Sequence, residues 1–376
     1  MDTVSHHQAL LRTSSGLQLA AVPTPSPKAG GVLVAPSFVG VCGTDLQILN
    51  GARPDTASIL GHEASGVVVR AGQGAALKEG QSIVFNPSAQ LKKGRILGHN
   101  VPGLFQQYFL VDEQAVQDGL VQAVEEGLPR VCGALVEPLA GVIYTHELIS
   151  HIVPQVQSAV VFGAGPIGLI TTEYLRSRGA RVLLIHSSQK RLDTAVELDF
   201  LESDSAMLFG NNLSERILGW NSGRWLDAAV ICTSMEGASA ALTHGMDVLK
   251  SGGCIEMVTN FPAGAPTPEG ITAAALREVR AANICGVPEE GAYVKADISG
   301  RAIAFTSHRG TSRTHLSQAM HMLNSTQQRY TRLITHVVSL QQAAGVIETL
   351  SRTRKASIDG RDCIKAVVDL TPLGAQ

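Results

Sequence analysis

The stretch Ser158-Ala-Val-Val-Phe-Gly-Ala-Gly-Pro-Ile-Gly-Leu169 constrains this chain more than any other. It reads as a buried strand (Ala159–Phe162), a turn on Gly163, Gly165 and Gly168, and a helix that begins near Pro166 and Ile167. A second strand, Arg181–Ile185, follows. The first two glycines permit a tight turn and close backbone approach to a pyrophosphate. The third lets helix pack on strand, and the free N–H groups of the helix start face the phosphates. Glycine-rich strand-to-helix turns also arise for purely geometric reasons. Here the flanking strand, helix and second strand together predict a dinucleotide-binding unit.

The βα rhythm continues, with strands predicted at Ala228–Cys232 and Cys254–Val258 and a glycine-stopped helix end at Val248–Gly253. Repeated units of this kind imply a parallel sheet covered on both faces. Ser299–Phe305 reads as a further strand, and an amphipathic helix starts from Thr311. Before the dinucleotide unit the pattern differs. Short strand-like runs at Leu17–Val22, Gly31–Val34, Val67–Arg70, Ser82–Phe85 and Gln106–Val111, broken by Gly and Pro, predict a small barrel-like β domain. At 376 residues the chain is long enough for two or three domains.

Thirty basic against thirty-two acidic side chains leave no electrostatic footprint for nucleic acid or an anionic membrane. The start, Met1-Asp-Thr-Val-Ser-His-His7, lacks the pattern of a secretory signal, and no apolar run approaches the ~18 residues of a membrane helix. A cytoplasmic location is the resulting expectation. None of the six cysteines forms a Cys-x-x-Cys pair, so neither a disulfide framework nor a cysteine zinc knuckle is visible.

Cys42, His62, Glu63 and Glu137 bring a thiol, an imidazole and two carboxylates, and all but Glu63 stand directly beside a glycine or proline. Such a set suits a four-coordinate Zn²⁺ with one position open to water or substrate. Spacing alone does not separate this from a buried thiol, a satisfied core histidine and two surface carboxylates.

The order of the motifs adds to that reading. Val39-Gly-Val-Cys-Gly-Thr-Asp45, Leu60-Gly-His-Glu-Ala-Ser-Gly66 and Glu137-Pro-Leu-Ala140, followed by the glycine turn, resemble the zinc-dependent medium-chain alcohol dehydrogenases. Glu-Pro-Leu-Ala points to their sorbitol and threonine dehydrogenase branch. The likeness extends to Leu333-Ile-Thr-His-Val337 and Ile364-Lys-Ala-Val-Val368, which are similar to the family's closing segments. The resemblance implies an α/β protein: a chaperonin-10-like (GroES-like) β-barrel catalytic domain over 1–152, a doubly wound Rossmann domain over 153–304, and a return to the catalytic domain over 305–376. It implies an active site in the cleft between them and a homodimer or homotetramer through the Rossmann sheet edge. Cys42 and His62 fall on metal-ligand positions, Glu137 on the third-ligand position, and Glu63 on the carboxylate that ligates directly or exchanges with water. Thr44 matches the hydroxyl that takes the substrate proton. Thr233 is placed within reach of cofactor, and Lys365 matches a basic residue that approaches the pyrophosphate.

Three departures refine this. Gln47 stands where many relatives carry the histidine at the outer end of the proton relay, and it cannot accept a proton at neutral pH. The segment 86–105 is short and free of cysteine, so the structural-zinc lobe is expected to be missing and one zinc per chain is expected. His99 within it reads as a surface histidine. Lastly, His186 replaces the acid that normally ends the second Rossmann strand, and Ser187, Ser188, Lys190 and Arg191 follow. Loss of the carboxylate removes repulsion toward a 2′-phosphate, which favours NADP(H) over NAD(H). The alternative is that Arg191 simply faces solvent. Ser307-His-Arg-Gly-Thr-Ser-Arg313 is read as a solvated turn, or as presenting His308 or Arg309 to a phosphate.

The expected activity is hydride transfer between NAD(P) and an alcohol or carbonyl small molecule, with polyols, sugars, cyclitols or amino alcohols implied by the branch. A relative that binds NADPH without catalysis and a zinc-free reductase of the same superfold are the alternatives.

Overall fold

The computed structural model describes residues 5–124, 127–261, 264–353 and 357–371. It divides into two compact units, Met1–Ala140 with Gly310–Gln376, and Gly141–Arg309. The first division falls inside the helix Gly133–Ile152, which continues through Pro138 and Gly141. The domain limits expected from the sequence were 152 and 304.

The first unit is built on a mixed seven-stranded sheet. Its path runs Ile334–Ser339, Lys365–Asp369, Val32–Gly40, Glu63–Ala71, Ser82–Phe85 and Val121–Ala123, with Phe109–Val111 also paired to Val32–Gly40. Val32–Gly40 alternates little because both of its faces are covered, and it reaches well beyond the predicted Gly31–Val34. Its register sets Gly40 opposite both Glu63 and Val367. Residues 41–42, 63 and 365 are therefore gathered at one end of the sheet. The core below holds Val34, Val39, Ile83, Phe85, Phe105 and Val368, against Ala343 and Ile347 of the helix Leu340–Arg352. A separate hairpin, His6–Thr13 with Gly16–Pro23, includes a strand that the sequence reading passed over.

The second unit carries seven strands in the order Ala206–Leu208, Arg181–His186, Ser158–Phe162, Leu226–Ile231, Leu249–Met257, Arg301–Thr306, Val294–Ile298. The first six are parallel and the last is antiparallel. Every residue of Ser158–Phe162 and Leu226–Ile231 is buried, as a sheet sandwiched between helices requires. Two expectations are corrected here. Val248–Gly253 is no glycine-stopped helix end, since the strand already begins at Leu249 and its register shifts before Cys254. Ser299 does not start a strand. Ser299 and Gly300 both have positive φ and form the two-residue turn of the hairpin Val294–Ile298/Arg301–Thr306. Among the described residues no helix is long and apolar enough to cross a membrane.

Candidate functional site

In the first unit Cys42 caps the helix Gly43–Leu49. The Thr44 N–H donates to Cys42 Sγ at 3.5 Å, and the Cys42 N–H donates to Asp45 Oδ2 at 2.8 Å. This reciprocal capping fixes the thiol at the helix start. The other oxygen of the fully buried Asp45 accepts from the Gly61 N–H at 3.0 Å and faces His62 Nδ1 at 3.4 Å. One carboxylate thus joins the helix that carries Cys42 to the turn that carries His62 and Glu63. Gly61 has φ +90°, and a Cβ on Gly103 would meet its carbonyl oxygen at 2.3 Å, so the turn tolerates only glycine at that neighbour.

The result is convergence. One ligand atom each from Cys42, His62 and Glu63 lie within 4.8 Å of one another. Burial would lower the His62 pKa, but Asp45 and Cys42 raise it well above its ordinary value. Burial and then the charge of Glu63 raise the Cys42 thiol. Glu137, half-buried on Gly133–Ile152, lies outside the 4.8 Å group. Burial and then Glu63 push its carboxyl up to about 7. Thr44 sits half-buried in the first turn of the Gly43–Leu49 helix. Gln47 lies one turn further along.

Lys365, expected near a cofactor pyrophosphate, is 2% exposed within this unit, where its ammonium pairs with Glu63 Oε2 and donates to the Val41 carbonyl at 3.2 Å. The last strand delivers it there, and a Cβ on Gly40 would lie 2.8 Å from its Cε. His99 also departs from expectation. It is half-buried, not on the surface; its ring centroid is 4.8 Å from that of His62, and its Nδ1 is 3.0 Å from the Leu97 carbonyl. Burial and then the His62 charge lower it to about 4, which keeps it neutral. Sequence reasoning passed over Asp45 as well, although an acid three residues after Cys42 is the spacing of a capping box.

In the second unit Gly163 has φ +112°, and a Cβ there would meet the Cys232 carbonyl oxygen at 2.6 Å. A Cβ on Gly168 would lie 1.7 Å from the Gly163 oxygen, whereas one on Gly165 would meet nothing within 4 Å. Gly165 opens the helix Pro166–Ser177, whose start has no side-chain cap, leaving the first-turn N–H groups, including that of Ile167, to an outside acceptor. The neighbouring strand ends at His186, whose Nδ1 accepts from the Ala164 N–H at 3.4 Å. Ser187 is exposed, Ser188 precedes the helix Gln189–Glu197, and the half-buried Arg191 lies in its first turn. Thr233 follows Leu226–Ile231 and donates to the Ser234 carbonyl at 3.0 Å. The glycine turn leaves the central strand between Arg181–His186 and Leu226–Ile231, the switch point where dinucleotides bind in such sheets. His308 is buried rather than solvated.

The chain therefore combines a β unit holding a convergent thiol–imidazole–carboxylate set with a doubly wound sheet that has a glycine turn at its switch point. Residues 28–119 match the alcohol dehydrogenase GroES-like domain. The 2-dehydro-3-deoxy-L-galactonate 5-dehydrogenase of Pseudoalteromonas atlantica is 31% identical over 46% of this chain, a match spanning 54% of that enzyme's length. The sorbitol dehydrogenase of Halalkalibacterium halodurans is 26% identical over 68% of this chain and 77% of its own. A Sinorhizobium meliloti protein, described as a zinc-binding dehydrogenase and solved with NADP, shares the fold with a TM-score of 0.70 at 22% identity, over 97% of this chain and 99% of that one. The chain thus carries an alcohol dehydrogenase GroES-like domain over residues 28–119 and is similar over more than half of its length to sorbitol, L-threonine and butanediol dehydrogenases.

Proposed function

We propose that this protein interconverts an alcohol and its carbonyl compound with a nicotinamide cofactor, using one Zn²⁺ per chain. The observation that carries the reading is the convergence of Cys42, His62 and Glu63 within 4.8 Å. The donor set fits the metal: sulfur, nitrogen and oxygen are the ligand types zinc takes, and the buried acidic side chains around them favour a cation. Asp45 faces His62 Nδ1, which leaves Nε2 to ligate, in the carboxylate–histidine arrangement that orients zinc ligands. Cys42 and His62 would hold the ion, with Glu137 completing the set. Glu63 either ligates or remains with Lys365. When bound, zinc supplies Lewis acidity toward the substrate oxygen, and the nicotinamide accepts or donates the hydride.

Thr44 takes the alcohol proton on its hydroxyl oxygen while passing its own onward, because a threonine cannot hold a net proton charge at neutral pH. Gln47 can donate or accept a hydrogen bond there but cannot store the proton, so the proton passed on by Thr44 would leave to water. Gly163, Gly165 and Gly168, with the N–H groups after Pro166, bind the pyrophosphate. His186, Ser187, Ser188 and Arg191 favour a 2′-phosphate, so NADP(H) is preferred to NAD(H). Relatives named for sorbitol, L-galactonate and L-threonine support a polyol, sugar-derived or amino-alcohol substrate. A cytoplasmic homodimer or homotetramer completes the reading.

One preparation tests the metal, the cofactor and the substrate class. Metal content, turnover on a panel of polyols and amino alcohols, and fluorescence titration with NADPH and NADH are measured before and after chelation. The expected results are close to one zinc per chain, turnover lost on chelation and restored by Zn²⁺, and tighter NADPH binding. Chelator-insensitive turnover would overturn the metal role, and tighter NADH binding the cofactor preference.

A further inference from the structure

The second unit buries a second pair of titratable groups that the reading above does not use. Glu256 lies on Leu249–Met257, in the interior of the sheet, with no exposed surface. Its strand neighbours Ile255 and Met257 pack into the apolar cluster on one face, so by alternation Glu256 projects to the other. Its Oε1 is 2.8 Å from His308 Nδ1. Its Oε2 has no hydrogen-bond partner among the described residues. A carboxylate sunk into a parallel sheet with one oxygen unsatisfied is a costly arrangement that packing does not explain.

His308 follows Arg301–Thr306, and its ring lies 4.6 Å from that of Tyr144, tilted by 60°. The backbone on both sides is clamped. The Asn283 side chain donates to the Ser307 carbonyl at 2.8 Å, and the Arg309 N–H donates to the Asn283 carbonyl at 2.9 Å. With Nδ1–H given to Glu256, the tautomer is set and Nε2 becomes the acceptor. The ring is 7% exposed at the C-terminal end of the strand. From the glycine-turn strand outward the order is Ser158–Phe162, Leu226–Ile231, Leu249–Met257, Arg301–Thr306. In a sheet of this order the second nucleotide of a dinucleotide lies across the ends of the latter three strands.

We propose that His308 is a cofactor-binding residue for the nicotinamide riboside half, accepting at Nε2 a hydrogen bond from a ribose hydroxyl or the carboxamide N–H, and that Glu256 is the positioning residue that holds it. The inference rests on the proposed nicotinamide cofactor, and the experiment separates the two. Dissociation constants for NADPH, for reduced nicotinamide mononucleotide and for 5′-ADP are measured on the full chain. His308→Phe and His308→Asn are each expected to weaken the mononucleotide and NADPH about tenfold, the scale of one hydrogen bond, and to leave 5′-ADP within about twofold. Glu256→Gln, whose amide oxygen still accepts from Nδ1–H, is expected to stay within about threefold of the parent, while Glu256→Leu matches the histidine variants. Retained 5′-ADP affinity shows that the second unit is folded in each variant. Unchanged mononucleotide binding in both histidine variants would overturn the inference while leaving the cofactor reading intact. A parent protein that binds neither fragment would overturn both.

Discussion

Lys365→Met isolates the buried ion pair beside the candidate metal site. The two side chains are 1% and 3% exposed, so solvent screens the pair little. Burial lowers the Lys365 pKa, but Glu63 and Cys42 outweigh it and hold the ammonium charged. Methionine replaces the lysine stem at similar volume and removes the charge, leaving Glu63 without its partner. Breaking one side of such a pair costs about 3–5 kcal/mol. At about 2–4 °C per kcal/mol for a domain of 150–250 residues, the transition of the first unit in chelated protein should fall by about 6–20 °C. The double variant Glu63→Gln/Lys365→Met removes both charges and should recover most of that loss, giving a coupling energy of about 2 kcal/mol or more in a double-mutant cycle. Thermal and urea unfolding of the four chelated proteins measure it. A single variant within 1 kcal/mol of the parent, or a double variant no more stable than the single, would refute the reasoning.

Two further perturbations address the second unit. Asp227 accepts from the Gln157 and Ser158 N–H groups at 2.8 and 2.9 Å and pairs with Lys250; burial raises its pKa, but these partners bring it below its ordinary value. A depressed folded pKa gives stability that is full above the unfolded value of ~3.9 and is lost as pH falls through the folded one. Asp227→Ala should therefore cost about 1–3 kcal/mol at pH 7 and flatten the acid limb of stability below about pH 4; an unchanged acid limb would count against it. Gly168→Ala puts a Cβ 1.7 Å from the Gly163 oxygen, whereas Gly165→Ala meets nothing within 4 Å. The first should lower both the melting temperature and cofactor affinity; the second should reduce affinity alone, by about tenfold or more, as the methyl enters the space a phosphate needs. Circular dichroism and fluorescence titration separate them, and equal stability losses would show that the turn has been misread.

What could be read from the sequence was what the backbone demands locally. Gly163 and Gly168 are bound to a turn whose carbonyls leave no room for a side chain, so the residue type itself records the geometry there. Cys42, His62 and Glu63 stood out through flanking glycines and through family likeness. The partners that orient them did not. Lys365 meets Glu63 across a separation of 302 residues, and nothing in its neighbourhood marks it as buried. His99 reaches His62 through a loop whose path depends on Asn100 bonding Ile96 and Gly94. The same limit explains the strands. Val294–Ile298 alternates as a sheet-edge strand does, yet its pairing depends on a Ser-Gly turn that also reads as a loop.

The discontinuity of the first unit also has a temporal consequence. A ribosome makes Cys42, His62 and Glu63 early and Lys365 only after the whole segment 141–309 has been synthesised. During that interval the strand Val32–Gly40 lacks its Lys365–Asp369 neighbour, and Glu63 lacks its counter-charge. The second unit, contiguous in sequence, can finish folding while the first is still an open sheet edge. The unit encoded in the middle of the chain can thus be complete before the unit whose sequence flanks it, and a cation arriving early would meet an acidic cluster that Lys365 has not yet neutralised.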